Sequence, residues 1–130
     1  MNKTHIAHVA LWTRDIEKLC DFYKRFFNAS VSERYESHRR PGFISRFMYF
    51  SGETTIEVMQ APWLETGENG KEITGYAHIA IAVGERSAVD ALAKKAEAGD
   101  FLKSQPRQTG DGFYEAIIAD PDGNLIEITV

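Results

Sequence analysis

The chain has 130 residues, of which 43% are hydrophobic and 12% aromatic, enough to fill the core of one globular domain. Its formal net charge of −4 argues against a nucleic-acid-binding surface, which normally shows as a basic patch. No run approaches the roughly 18 apolar residues that span a bilayer, and the N-terminus lacks the apolar stretch of a secretory signal. We therefore expect a cytoplasmic protein with no nucleic-acid or membrane partner.

The first half of the chain predicts a β-α-β-β-β order. Residues 5–13 read as a strand, and Asp15 opens a helix whose apolar residues recur at helical spacing. Asn28 is a residue type suited to a left-handed helix stop. Three further strand-like stretches follow, at 30–36, 43–50 and 54–60. Together these elements make a first repeat over residues 5–60.

A segment without apolar periodicity then separates this repeat from a second one. Residues 61–75 combine a proline, three glycines and four charges, which predicts a linker. Residues 76–130 repeat the pattern, with Ser87 placed to cap the second helix and Gly99 to end it. A D-P-D-G-N turn at 120–124 leads into the last strand. We expect one domain over residues 1–130, made of these two repeats.

A histidine and a glutamate recur at matched places in the two repeats. His8 lies 49 residues before Glu57, and His78 lies 49 residues before Glu127, with 70 residues between the copies. Because side chains alternate along a strand, all four lie on the face opposite the branched apolar residues that should pack on the helices. Carboxylates enclosed there would be costly without a cation. Two imidazoles and two carboxylates therefore predict a metal site.

The β-α-β-β-β repeat, together with the motifs H-V-A-L, T-I-E-V, H-I-A-I and D-P-D-G-N-L-I-E-I, resembles the vicinal oxygen chelate superfamily of glyoxalases, bleomycin-resistance proteins and dioxygenases. The resemblance covers essentially the whole chain. It implies an α+β fold in which two βαβββ repeats form a concave mixed sheet. The ligand order His, Glu, His, Glu is most similar to that of glyoxalase I, the lactoylglutathione lyase. The metal ligands that this likeness implies are His8, Glu57, His78 and Glu127, and it makes Glu127 the catalytic base.

The same resemblance implies a reaction and an assembly. One divalent ion per site, of nickel, cobalt, manganese, iron or zinc, would polarise a carbonyl-containing substrate while Glu127 moves a proton through an enediolate. Small relatives are usually homodimers that bind their metal between subunits. Such a dimer would join His8 and Glu57 of one chain to His78 and Glu127 of the other.

The substrate pocket departs from this pattern. Glyoxalase I typically carries a glutathione-binding arginine four residues after its first ligand, where this chain has Trp12. We expect Trp12 to form an aromatic wall, with Gln60 near it, and the basic residues 38–40 and Arg46 to form a cationic rim for an acidic substrate. Two alternatives stay open. One is a non-catalytic drug-binding protein of the bleomycin-resistance type, which generally lacks metal ligands; the other is a fosfomycin-resistance-type transferase, which usually has one carboxylate fewer.

Overall fold

The computed structural model describes residues 2–67 and 71–130, which divide into two compact units. Unit 1 comprises residues 1–66 and unit 2 comprises residues 67–130, so the boundary falls within the segment 61–75. The described residues of that segment form neither a helix nor a strand, while residues 68–70 of it lie outside the described part of the chain.

The described residues of unit 1 form one helix and five strands. They are β1 (His8–Trp12), α1 (Ile16–Phe27), β2 (Ser30–Val31), β3 (Tyr35–Glu36), β4 (Ile44–Tyr49) and β5 (Thr55–Gln60). The sheet order is β1-β5-β4-β2, with β3 also paired to β4; β1 and β5 run parallel and the other pairs run antiparallel. Unit 1 therefore pairs its first strand, β1, with its last strand, β5.

The ends of α1 follow from its sequence. The carboxylate of Asp15 accepts a hydrogen bond from the Lys18 backbone N–H at 3.1 Å, which satisfies one of the free donors of the first turn. Asn28 ends the helix in the left-handed conformation, with φ of 58°. Both predicted ends are confirmed. Between them the helix buries a stripe of residues against the sheet: Ile16, Leu19, Cys20, Phe22, Tyr23 and Phe26. Burying one such large apolar side chain completely stabilises the folded state by about 1.5–3 kcal/mol.

The stretch 30–36, expected to be one strand, is broken at Ser32. The Ser32 backbone N–H donates to the Phe47 carbonyl at 2.9 Å, but its own carbonyl accepts from Arg46 Nε at 2.9 Å. The Phe47 N–H donates instead to the Ser32 side-chain oxygen at 2.8 Å. Because the serine hydroxyl replaces a backbone acceptor, the ladder is interrupted and two short strands result.

Unit 2 repeats this arrangement with a complete second strand. Its elements are β6 (His78–Ala82), α2 (Arg86–Ala98), β7 (Leu102–Gln108), β8 (Tyr114–Ala119) and β9 (Leu125–Thr129). The sheet order is β6-β9-β8-β7, again with its first and last strands parallel. The predicted α+β fold of two βαβββ repeats is thus confirmed.

The start of α2 differs from the prediction. The helix begins two residues earlier than a Ser87 cap requires, because the backbone N–H groups of Ala88 and Val89 both donate to the Glu85 carbonyl. Glu85 therefore occupies the capping position, without a side-chain hydrogen bond, and Ser87 lies inside the first turn. The prediction that Ser87 caps α2 was wrong, because the first helical hydrogen bonds already start at the Glu85 carbonyl.

The predicted turn at 120–124 is confirmed and sets the start of β9. Asp120 is buried, and its Oδ1 accepts hydrogen bonds from the backbone N–H groups of Asp122 and Asn124, both at 3.0 Å. Gly123 has a φ of +86°, a conformation that side chains other than glycine rarely adopt. Within the described residues, no helix combines the length and apolar character needed to cross a membrane.

Candidate metal centre: two histidine–glutamate pairs

In unit 1, His8 and Glu57 project from neighbouring parallel strands. Glu57 on β5 is in register with Ala10 on β1, so the alternation of side chains places Glu57 and His8 on the same face of the sheet. The atoms His8 Nε2 and Glu57 Oε1 are 3.7 Å apart. The histidine side chain is 47% exposed and the glutamate 20%. A partly enclosed carboxylate therefore faces an imidazole that solvent still reaches.

In unit 2, His78 and Glu127 repeat this geometry on β6 and β9. Glu127 is in register with Ala80, and His78 Nε2 lies 3.2 Å from Glu127 Oε2. The side chains are 41% and 25% exposed. The two pairs thus occupy equivalent strands, equivalent register positions and similar environments, each within its own unit.

The helices explain why both pairs avoid the apolar core. Val58 follows Glu57 and Ile128 follows Glu127, and both are fully buried. Since successive side chains of a strand point to opposite faces, burying these residues against the helix sends the glutamates to the helix-free face. We call this the ligand face of each unit.

The donors of each pair fit a divalent transition-metal ion. Two ligands bound at right angles at about 2.1 Å lie about 3.0 Å apart; the pair of unit 2, at 3.2 Å, is close to this spacing, and the pair of unit 1, at 3.7 Å, is wider. Imidazole nitrogen with carboxylate oxygen is a donor set that such ions accept readily. Among the described residues, no three His, Cys, Asp or Glu side chains come together as a ligand group, so each unit supplies one pair.

A third carboxylate lies beside the second pair and was not predicted from the sequence. Burial raises the pKa of Glu115, and the adjacent Glu127 carboxylate raises it further. Glu115 Oε2 is withdrawn from water and has no hydrogen-bond partner among the described residues. Side-by-side carboxylates repel each other, and a cation next to Glu127 would relieve that repulsion. Glu115 therefore adds a crowded carboxylate beside the second pair.

Strand alternation contained a signal for Glu115. In β8 it has the same parity as Ile117, which is in register with Glu127, so it shares the ligand face. Detecting it required the pairing of β8 with β9. The equivalent position in unit 1, 70 residues earlier, is Ser45, so the repeat itself did not reveal a third acid.

Aromatic rings border the first pair. The rings of His8 and Phe47 meet edge to face, with centroids 5.5 Å apart. Phe47 is in register with Glu57 and therefore lies on the ligand face. Trp12 shares that face, since it lies four residues after His8 in β1, and it is 42% exposed. An aromatic wall at Trp12 thus remains a sound hypothesis.

Arg46 and Gln60 lie on the other face, and we withdraw them from the pocket. Both have the parity of Val58, and each is engaged by α1. Arg46 Nη1 contacts both oxygens of Glu17 at 2.7 Å, and this hydrogen bond and charge hold the pKa of Glu17 below its usual value. Gln60 Oε1 accepts the Ile16 backbone N–H at 2.8 Å. Arg46 therefore forms an ion pair with Glu17, and Gln60 caps the start of α1.

Comparison with known proteins gives a consistent family. The Glyoxalase/Bleomycin resistance protein/Dioxygenase superfamily matches residues 5–128. The uncharacterized protein PA2024 of Pseudomonas aeruginosa is 30% identical over 128 residues, which span 95% of this chain and 86% of that protein.

Two solved structures share the fold. The trypanothione-dependent glyoxalase I of Leishmania major is similar with a TM-score of 0.73 and 21% identity, over 98% of this chain and 86% of that one. The fosfomycin resistance protein FosX of Listeria monocytogenes is similar with a TM-score of 0.75 and 21% identity, over 99% and 94%. A shared fold at this identity does not choose between their reactions.

Proposed function

We propose, since the chain belongs to the Glyoxalase/Bleomycin resistance protein/Dioxygenase superfamily, that it is a metal-dependent lyase or isomerase of the glyoxalase I type. Its substrate would be a carbonyl compound from which a proton is removed and returned through an enediolate. The observation that carries the proposal is the recurrence of one His–Glu pair in both units, at equivalent register positions and on helix-free faces.

In this proposal one divalent ion is held by four side chains, His8, Glu57, His78 and Glu127. We assign the two pairs to different protomers of a homodimer, so that each site draws one pair from each chain. When bound, the ion supplies Lewis acidity that polarises the substrate carbonyl. Nickel, cobalt, manganese, iron and zinc all accept two imidazoles and two carboxylates.

The protein side chains divide the remaining work. Glu127 accepts the proton from the substrate carbon and returns it to the neighbouring carbon, while Glu57 stays a ligand. The two glutamates differ in their neighbours: Glu115 lies beside Glu127, whereas Phe47 lies opposite Glu57 on β4. His8 and His78 orient the site by keeping their Nε2 atoms turned toward the carboxylates.

The test combines metal content with a matched pair of variants. Protein purified without chelator is analysed for metal, and wild type, Glu127→Gln and Glu53→Gln are assayed on the methylglyoxal–glutathione hemithioacetal. Glu53 lies in the exposed turn before β5 and serves as the control. We expect one metal per four ligands, a loss of about 10²–10⁴-fold in kcat for Glu127→Gln, and an unchanged control.

Two results would contradict the proposal. Failure to bind any divalent metal would favour the sequestering, bleomycin-resistance-type alternative. Metal binding without turnover of carbonyl substrates, but with thiol transfer to an epoxide, would favour the fosfomycin-resistance-type alternative.

A further inference from the structure

Unit 1 holds an arginine among aromatic rings at one end of its ligand face. The Arg40 guanidinium carbon lies 4.5 Å from the centroid of the Trp63 ring and 5.8 Å from that of Phe43. Phe43 in turn meets Trp12 edge to face, with centroids 6.0 Å apart. We call these four residues the aromatic–arginine cluster: Trp12, Arg40, Phe43 and Trp63.

The backbone fixes this cluster in place. In the connection between β3 and β4, the Phe43 N–H donates to the Arg40 carbonyl at 3.0 Å, and the Arg40 N–H donates to Ser37 Oγ at 3.0 Å. Gly42 has a φ of +94°, and a Cβ built there would lie 2.8 Å from Pro62 Cγ. The turn therefore packs directly on the residue before Trp63, which holds the arginine over the tryptophan ring.

The charge of Arg40 is not neutralised within the described residues. Its side chain stacks on rings but has no carboxylate partner there, unlike Arg46, which is bound to Glu17. Stacking uses the flat face of a guanidinium, whereas its five N–H donors lie in the plane and remain available. That edge suits the two oxygens of a carboxylate.

The cluster is displaced along the strands from the first His–Glu pair. Trp12 lies four residues beyond His8 on the same face, about 13 Å along β1. Trp12 and Trp63 are 42% and 43% exposed, so apolar ring surface stays open next to the arginine. A planar ring packs well against such surface.

From these observations we propose that the aromatic–arginine cluster is a subsite for an aryl carboxylate. Arg40 binds the carboxylate, and the exposed tryptophan rings hold the planar body attached to it. This rests on the proposed function for one consequence only: the substrate would be a carbonyl compound whose aryl-acid arm spans the separation between the His8–Glu57 pair and the cluster, about 13 Å along β1.

Binding of small probes to the metal-free protein tests the subsite separately from catalysis. Both tryptophans of the chain belong to the cluster, so tryptophan fluorescence reports on it directly. Protein stripped of metal and dialysed free of chelator is titrated with 3-phenylpropionate, its neutral amide, and propionate. We expect the aryl acid to bind at least about 10-fold more tightly than the amide, the effect of one charge-assisted hydrogen bond. Propionate should bind more weakly as well, since it lacks the ring.

Variants locate the effect. Arg40→Gln should bring the aryl acid down to the level of the amide, while Arg34→Gln, a matched change at an exposed arginine of the same unit that contacts Glu17 and no ring among the described residues, should bind like wild type. Circular dichroism confirms that each variant is folded. Equal binding of acid and amide, equal binding by Arg40→Gln and wild type, or no saturable binding of the aryl acid would each overturn the subsite. Equal binding of propionate would overturn its aromatic half. None of these outcomes depends on metal or turnover, so failure of the subsite would leave the proposed function untouched, and failure of the proposed function would leave the subsite untouched.

Discussion

The two units carry the same His–Glu pair but surround it with different neighbours. In unit 1, Phe47 packs its ring edge to face with His8; the matching residue in unit 2 is Ile117, and Glu115 adds a second acid there. The ligand positions are fixed by the parallel pairing of the first and last strands, which both units share. The middle strands are free to vary. The comparison teaches that this fold can preserve two ligands while it changes the chemistry beside them.

The helices differ in the same way. Matched positions carry Tyr23 and Phe26 in α1 but Ala93 and Ala96 in α2, and all four are buried. Large rings on one helix and methyl groups on the other reach the same degree of burial. The two helices therefore contribute different side-chain volumes to the cores of their units.

The largest expected effect tests this packing difference. Phe22 is fully buried and stacks on Phe26 at 4.4 Å between centroids, whereas its counterpart Leu92 is only half-buried. Phe22→Ala should lower the free energy of unfolding by about 3–5 kcal/mol and Leu92→Ala by less than about 2 kcal/mol, measured by urea denaturation. Equal losses would show that the two helices contribute alike.

The next prediction tests the likeness of the pairs. If both bind one ion, His8→Ala and His78→Ala should each weaken metal affinity by about 100-fold or more, since even residues behind the ligands cost 10–100-fold. Titration of the metal-free proteins with a divalent ion measures this. His5→Ala, an exposed neighbour outside β1, is the control and should match wild type. A large loss in only one of the two variants would break the equivalence.

A smaller effect on stability is expected from a larger side chain on the buried face of α2. Ala93 in α2 is 2% exposed and matches the fully buried Tyr23 of α1. Ala93→Leu inserts methylenes into filled space and should destabilise the protein by about 1–3 kcal/mol in thermal or urea unfolding. An unchanged free energy of unfolding would show that the core of unit 2 has space for the larger side chain.

The smallest effect concerns the extra acid of unit 2. The pKa of Glu115 is raised from the usual 4.5 by burial and by Glu127, so the folded state holds this proton more tightly than the unfolded state. Stability of the metal-free protein should therefore fall as pH rises through 4.5 and above. Glu115→Gln should remove that loss and raise the free energy of unfolding by roughly 0.2–1 kcal/mol at pH 7, with no increase below the usual carboxyl pKa. A gain of equal size at both pH values would point to packing instead of charge.

Much of the fold followed from local signals in the sequence. The superfamily resemblance is confirmed, as are the repeated element order, the Asp15 and Asn28 ends of α1, and the turn at 120–124. These features depend on neighbouring residues, so alternation, capping preferences and turn chemistry suffice to predict them. The metal site and the dimer stay predictions.

Among the residues that were misplaced or missed, local strand parity was enough to place Gln60, but the others depended on strand pairing. Gln60 has the parity of Val58, so counting along β5 already placed it on the helix side. Arg46 needed the register of β4 against β5, and Glu115 needed that of β8 against β9. Ser32 broke its strand because its side chain competes with the backbone for the Phe47 N–H. Such choices are decided by pairing partners distant in the chain.

The positions of the two tryptophans have a consequence for how the protein unfolds. Both lie in unit 1, at positions 12 and 63, and unit 2 contains none. Indole emission therefore follows the loss of structure in unit 1 alone, whereas far-ultraviolet circular dichroism averages over both units. Coincident transitions by the two probes would make the duplicated fold a single cooperative block, and separated ones would make each half a folding unit of its own.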